Sequence, residues 1–272
     1  MNALVQLVGV GQFEAYYFNK INDMDCKSFE PIEVEKDVEN IFIKIIPKLS
    51  DTMKNIIFQL KVDREIDQKQ LYNIIEYIEI KSFNHTIIKV TGDYLYRNIL
   101  IKRFTINEKS KSWIFDFPFR DFGIKYLNLL ALNLDEICLT IKVREPCKLS
   151  IYSDCYIYAD EKRRKLMKGT EKEMLLEPVI ERLPVINGKI KIPNIDYPLF
   201  DNSFWLKMPD KESHFEINKV NQDSYGDGLY WIQFNENIIN KELKVHFEEE
   251  VIFMADKIGS YFIKNGIFNK EI

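Results

Sequence analysis

Alternation with a period of two dominates this chain. In "ICLTIKV" Ile137, Leu139, Ile141 and Val143 fall on one side of an extended segment, with Cys138, Thr140 and Lys142 on the other. In "NIIFQLKV" Phe58, Leu60 and Val62 alternate with Gln59 and Lys61, and in "IFIKIIP" Ile41, Ile43 and Ile45 alternate with Phe42 and Lys44. Successive side chains of a strand point to opposite faces, so such runs predict half-buried antiparallel strands. Further extended runs are read at 75–80, 86–90, 98–106, 113–119, 148–158, 189–192, 204–208, 214–218, 229–235 and 242–254. Asn187-Gly188, between "LPVI" and "KIKI", is the strongest hairpin signal. Many short strands separated by turns predict an all-β chain, a sandwich or jelly roll.

Helical pattern is sparse. The best candidate opens at Asp160 as N-cap and runs through "EKRRKLMKGTEKEMLLEPVIERL", with Met167, Met174 and Leu175 at helical spacing. Gly169 and Pro178 break or bend it. A shorter helix is predicted over 67–75, and another at the tail from "MADKIGSYFI". The chain therefore divides near 160–180, with a strand-rich block on either side.

Composition narrows the function. The 272 residues are 46% hydrophobic, enough to bury one large core or two ordinary ones. Acidic residues number 42 and basic ones 38, a formal charge of −4, which argues against a general nucleic-acid binder. "MNALVQLVGVG" has no basic residue ahead of its apolar run and is interrupted by Gln6, so no signal peptide is expected. No apolar run approaches the roughly 18 residues of a membrane-spanning helix. Cys26, Cys138, Cys147 and Cys155 form no CxxC pair and are expected to be reduced thiols. His85, His214 and His246 lie far apart, so neither zinc nor another cofactor is expected.

Catalytic signatures are missing from the sequence: there is no GxSxG, GxxxxGK[ST] or HExxH. Gly9-Val10-Gly11 is a fragment of a dinucleotide motif without its third glycine. Asp223, Gly226 and Asp227 read as a polar turn, and Glu248-Glu249-Glu250 as a solvated face. An enzyme is not expected. The feature without an immediate reading is the cationic run Lys162, Arg163, Arg164, Lys165 and Lys168, which follows the strand ending at Tyr158. It is read as a solvated helix face, a surface for acidic protein neighbours, or a polyanion grip.

Several stretches, in chain order, resemble the double jelly-roll major capsid proteins of nucleocytoplasmic large DNA viruses. "LVQLVGVGQFEAYYF" carries Gln6, Leu7, Val8, Gly11 and Glu14 in the family's places. "IEYIEIKSFNHTIIKVTGDYL" carries Gly92, Asp93 and Leu95, with Tyr94 where the family has tryptophan. "FRDFGIKYLNLLALNLDEICLTIKV" matches at Arg120, Gly123, Ala131, Leu132 and Glu136. "YIYADEKRRKLM" and "EMLLEPV" follow, and Pro198, Trp205, Val251, Met254 and Gly259 carry weaker matches in a shorter second half.

The resemblance implies two tandem jelly rolls with few short helices, the second one shortened. It divides the chain into a first jelly roll at 1–160, a basic helical joint at 161–180 and a reduced second jelly roll at 181–272. It further implies a structural protein of the virion, a major or minor capsid subunit assembled in the host cytoplasm. The expected partners are two further copies in a homotrimer, other capsid or minor capsid proteins and an inner membrane, with no specific nucleic acid. Lys162, Arg163, Arg164 and Lys165 are then the candidate assembly interface. A receptor- or glycan-binding jelly roll presenting Tyr230 and Trp231 is the alternative reading, and an assembly scaffold the third.

Overall fold

The computed structural model describes residues 14–25, 40–46, 50–83, 85–101, 106–109, 112–158, 160–186, 189–191, 195, 197–208, 215–216, 220–225, 228–234, 242–245 and 250–271. Two units emerge, Met1–Leu175 with Ser260–Ile272, and Leu176–Gly259.

In the first unit β1 (Glu14–Asp25), β2 (Asn40–Ile45), β3 (Thr52–Met53) and β4 (Asn55–Lys61) precede helix α1 (Gln68–Ile74). β5 (Ile75–Ser82) and β6 (His85–Thr91) lead into helix α2 (Gly92–Leu100). β7 (Ile106–Lys109), β8 (Ser112–Pro118), β9 (Leu127–Asn128), β10 (Ile137–Val143), β11 (Lys148–Tyr158) and helix α3 (Asp160–Met167) follow. β12 (Thr170–Leu183) carries the chain into the second unit. That unit holds β13 (Val185–Ile186), β14 (Lys189–Lys191), β15 (Leu199–Lys207), β16 (Phe215–Glu216), β17 (Val220–Ser224), β18 (Leu229–Phe234) and β19 (Glu242–Val245). β20 (Val251–Lys264) returns to the first unit, where β21 (Ile267–Glu271) pairs with it.

The first unit is a jelly roll. One sheet contains β1, β11, β4, β8 and β7 in that order, and the other β2, β10, β5 and β6. Apart from the β5–β6 hairpin within one sheet and β7–β8 within the other, successive long strands pass from sheet to sheet, and all pair antiparallel, which is the wrapping of a jelly roll. The alternation of β10 is realised as expected: Ile137, Leu139, Ile141 and Val143 are all buried. Ile56, Phe58 and Leu60 of β4 are fully buried in the other sheet. Each such side chain contributes about 1.5–3 kcal/mol of hydrophobic stabilisation. Phe117 meets Phe58 edge-on at 6.3 Å and stacks on Phe122 at 5.0 Å.

The second unit is smaller. Its strands run in the orders β12-β20-β15-β18-β17 and β13-β14-β19-β16. Phe204, Leu206, Ile232, Phe234, Val251 and Phe253 form its core. Asn187-Gly188 lies outside the described residues, but the flanking pairs Ile186↔Lys189 and Val185↔Ile190 have the register of a two-residue hairpin.

Four sequence readings are corrected. The strand expected at 98–106 is not formed at its start, where 92–100 is helical. Thr91 caps it by accepting from the Tyr94 N–H, and Tyr94, Leu95 and Asn98 are buried at helical spacing. The tail from Met254 is strand β20, not a helix. The basic helix ends at Met167, and its expected continuation is strand β12. Gly169 stops it with φ +104, and Pro178 fits β12 because an edge strand tolerates a residue without an N–H. Finally, β2 buries Phe42 rather than the Ile41, Ile43, Ile45 side, and Ile45 is exposed. Both sides of that run are apolar, so alternation alone did not select the inner one. The predicted helix at 67–75 is present as α1, with a capping box between Asp67 and Gln70.

A buried carboxylate fixes one end of the first unit. Asp135 Oδ2 accepts from Ser82 Oγ at 2.6 Å and from the Phe268 N–H at 3.1 Å, tying β5, the β9–β10 connection and β21 together. Asp135→Ala strands two buried donors and is expected to cost about 2–3 kcal/mol in urea unfolding. Asp135→Asn keeps an acceptor oxygen and is expected to lose less than half of that.

Candidate assembly interface

Helix α3 places all four predicted site residues on one short segment, and each has its own environment. Arg163 Nε lies 3.3 Å from Asp51 Oδ2, and Asp51 is almost wholly buried. The same Oδ2 accepts the Tyr158 N–H at 2.8 Å. The Asp51 main chain bonds to Tyr156, Leu129 and Leu130, so this residue knots the corner before β3 to the end of β11. Burial pushes the Asp51 carboxyl up, while the Tyr158 amide and Arg163 pull it down less strongly.

Lys162 sits over the Tyr158 ring at 4.1 Å, a cation–π contact. The Tyr158 hydroxyl lies 3.2 Å from Thr52 Oγ1, and its ring stacks on Tyr156 at 5.9 Å. Lys165 pairs with Glu161 at 3.2 Å across one helical turn, an exposed pair worth only a few tenths of a kcal/mol. Arg164 is exposed. Leu166 anchors the opposite side: it is buried, and its carbonyl accepts from Asn128 Nδ2 at 2.9 Å. Arg164 and Lys165 also occupy the last turn, where the helix dipole favours cations. The helix is thus held by Leu166, Arg163 and Lys162, and it presents Arg164 and Lys165 outward. Sequence reasoning missed Asp51, because nothing local to "LSDTM" marks it as the partner of a residue so far along the chain.

A second polar site lies at a pocket of about 150 Å³ lined by Lys54, Asn55, Asp116, Pro118, Arg120, Lys125 and Asp154. The buried Asn55 amide donates to Asp116 at 2.8 Å and to Asp154 at 3.0 Å, bridging two carboxylates. Burial raises the Asp116 pKa most, the Asn55 bond lowers it and Asp154 raises it further. A folded carboxyl with a raised pKa binds a proton that the unfolded chain has released, so its contribution to stability grows as pH falls through the raised value. It levels off below the ordinary value of 3.8. Asp116→Asn is therefore expected to match or exceed the parent's thermal midpoint at neutral pH, with the gap closing on acidification. A gap that widens toward acid contradicts this assignment.

Among the described residues no cluster of three or more His, Cys, Asp or Glu side chains is placed to hold a metal. Among the described residues neither Cys138 nor Cys147 is in a disulfide, and Cys147 is buried. Cys26, Gly9 to Gly11, His214, His246, Gly226, Asp227, Glu248 and Glu249 lie outside the described residues. Glu250 is exposed and pairs with Arg182 at 2.9 Å. Tyr230 and Trp231 are half-buried, and Trp231 packs 6.5 Å from Trp205.

No protein-family model matches the chain, and no curated protein matches its sequence. Solved structures do match. The PBCV-1 virus capsid, as a quasi-atomic model, superposes with a TM-score of 0.67 at 9% identity, covering 96% of this chain and 97% of that one. A chain from the atomic structure of Sulfolobus Turreted Icosahedral Virus gives 0.53 at 10% identity, covering 91% of each. The Faustovirus major capsid protein gives 0.50 at 6% identity, covering 94% and 91%. The fold is that of viral capsid jelly rolls. More narrowly, over nearly its whole length the chain has the double jelly-roll fold of major capsid proteins.

Proposed function

We propose that this protein is a capsid subunit, major or minor, that self-associates into the shell of a virion. The observation that carries the reading is end-to-end likeness to the PBCV-1 capsid chain, with 96% and 97% of the two chains covered. A likeness confined to one jelly roll fits many binding modules; one that spans both fits a shell protein much better. In this reading residues 1–160 form the first jelly roll, 161–180 the joint and 181–272 the second, with the closing strand returning to the first unit. The working oligomer is a trimer, assembled in the host cytoplasm alongside other capsid proteins. The protein acts by packing rather than by catalysis. Arg164 and Lys165 are the residues of the joint offered to acidic groups of a neighbour, whereas Arg163 is engaged by Asp51 of its own chain.

Light scattering of the purified chain with negative-stain imaging tests the reading. Particles of trimer mass with a pseudo-hexagonal outline are expected. A chain that stays monomeric at every concentration and salt overturns the proposal. A glycan- or receptor-binding role is less favoured, because the aromatic residues proposed for it are half-buried.

A further inference from the structure

The corner that holds α3 joins a buried acid to a half-exposed base. The Asp51 side chain is 5% exposed and that of Arg163 44%. Arg163 can exchange this partner for water at little cost. Ionised Asp51 cannot, because a buried carboxylate without a cation bears its full desolvation penalty. The groups around Asp51 come from four elements. α3 contributes Arg163, 3.3 Å away. β11 contributes the Tyr158 N–H at 2.8 Å and the Tyr156 carbonyl, with the two phenol rings stacked beside them and Lys162 lying over Tyr158. β3 and β9 contribute the uncharged Thr52 and Asn128, and the Leu129 and Leu130 N–H groups donate to the Asp51 carbonyl. The other ties of α3 to the corner are buried Leu166, its carbonyl on Asn128 and Lys162 over Tyr158, and none of them involves a carboxyl.

Proton binding at Asp51 acts in opposite directions on the fold and on the helix. Burial raises its carboxyl above 3.8, and Arg163 opposes that rise. A raised value means that the folded chain takes up this proton more readily than the unfolded one, so protonating Asp51 does not weaken the fold as pH falls. The contact with α3 responds the other way. Arg163 favours the ionised form, so with the helix lifted away the carboxyl would titrate higher still, and protonation therefore favours the lifted helix. α3 has eight residues, too few to remain helical without its contacts, since isolated helices shorter than about 12 residues are marginal in water.

We propose that Asp51 is an acid-sensitive latch on α3: ionised, it holds the helix to the corner through Arg163, and protonated, it lets the helix open while the jelly roll around it stays folded. Arg164 and Lys165 ride on the same helix, so acid also unsettles the contact offered to a neighbour. That consequence rests on the capsid reading, whereas the latch itself belongs to a single chain.

The test is amide hydrogen exchange of the full chain at neutral pH and at about pH 5, corrected for the intrinsic pH dependence of exchange. Protection of the α3 amides is expected to fall roughly fivefold at the lower pH, while β4 and β10 keep theirs. Asp51→Asn should show the low α3 protection at both pH values. Arg163→Gln, which alters a half-exposed side chain and leaves the buried one in place, should give the same flat profile. Glu161→Gln, which removes an exposed carboxyl of the helix itself, should keep the pH response of the parent. An α3 protection that does not fall in the parent overturns the proposal, as does a pH response that survives in Asp51→Asn or vanishes in Glu161→Gln. A fall of equal size in β4 and β10 also overturns it, because acid then unfolds the jelly roll rather than the helix. These readouts are taken on one chain, so a chain that never assembles overturns the capsid reading alone.

Discussion

Replacing Gly169 by alanine is expected to lower the unfolding free energy by about 3 kcal/mol or more, the size reserved for backbone strain combined with overpacking. Two causes add at one methyl group. Gly169 has φ +104, a conformation that L side chains rarely adopt, and left-handed backbone costs a non-glycine residue roughly 1–2 kcal/mol. The new Cβ would also stand 2.0 Å from the carbonyl oxygen of Ile263. That oxygen belongs to β20, whose Ile263 is paired with Phe268 of β21, so relief requires moving a paired strand rather than a flexible tip. The residue sits between α3, capped off by the Gly169 N–H to the Leu166 carbonyl, and β12, which begins at Thr170. Equilibrium urea unfolding of Gly169→Ala beside Lys168→Ala, an exposed neighbour, isolates the effect. A loss below about 1 kcal/mol for the glycine variant, within the range of ordinary surface changes, would show that the turn relaxes freely.

The strands were legible where one side of the alternation was apolar and the other polar. β10 and β4 satisfy that condition, and both bury the expected residues. β2 did not, because Phe42 competes with Ile41, Ile43 and Ile45, and the choice of Phe42 is made by the opposing sheet. α2 was hidden by a run of isoleucine and leucine that suits either period. Its one local signal was the Thr91 cap ahead of Gly92. At Gly92 an added Cβ would meet the Tyr72 and Ile75 carbonyls at 2.1 and 2.5 Å, a tertiary contact that no window of sequence contains. β20 carries "MADKIGSYFI" as strand because neighbours supply its hydrogen bonds, which overrides helical spacing.

The candidate site was legible only in part. Four cations in "EKRRK" announce a charged helix, but two of them are engaged from outside it, Arg163 by Asp51 from a corner and Lys162 by Tyr158 from β11, while Asn128 from β9 holds the Leu166 carbonyl. Likewise Asn55, Asp116 and Asp154 meet from three different strands. Charge patterning locates a feature, and tertiary structure decides which of its members are already engaged.

That division makes the cationic helix separable by mutation. Arg164→Glu with Lys165→Glu is expected to leave the thermal midpoint of the monomer nearly unchanged, since both side chains are exposed and such changes fall within a few tenths of a kcal/mol. In the proposed assembly, reversing the charges faces acids of a neighbouring copy with acids. Each buried interfacial pair lost costs about 2–5 kcal/mol, enough to empty the oligomer at micromolar concentration. Arg163→Glu should behave the other way round. It sets a second carboxylate against buried Asp51, whose carboxyl is already pushed up by burial, and it removes the cation that pulled that value down. Because Arg163 is 44% exposed, solvent moderates the penalty, and a loss of folding stability of about 1–2 kcal/mol is expected. Asp51→Asn in the same background should recover part of it by removing the repulsion. Sedimentation velocity across a salt series, read beside thermal unfolding, separates the two effects. An oligomer population untouched by Arg164→Glu with Lys165→Glu at every salt concentration reduces the outer face of α3 to a solvated surface. Equal damage to folding from both sets of changes makes the whole helix an intramolecular brace.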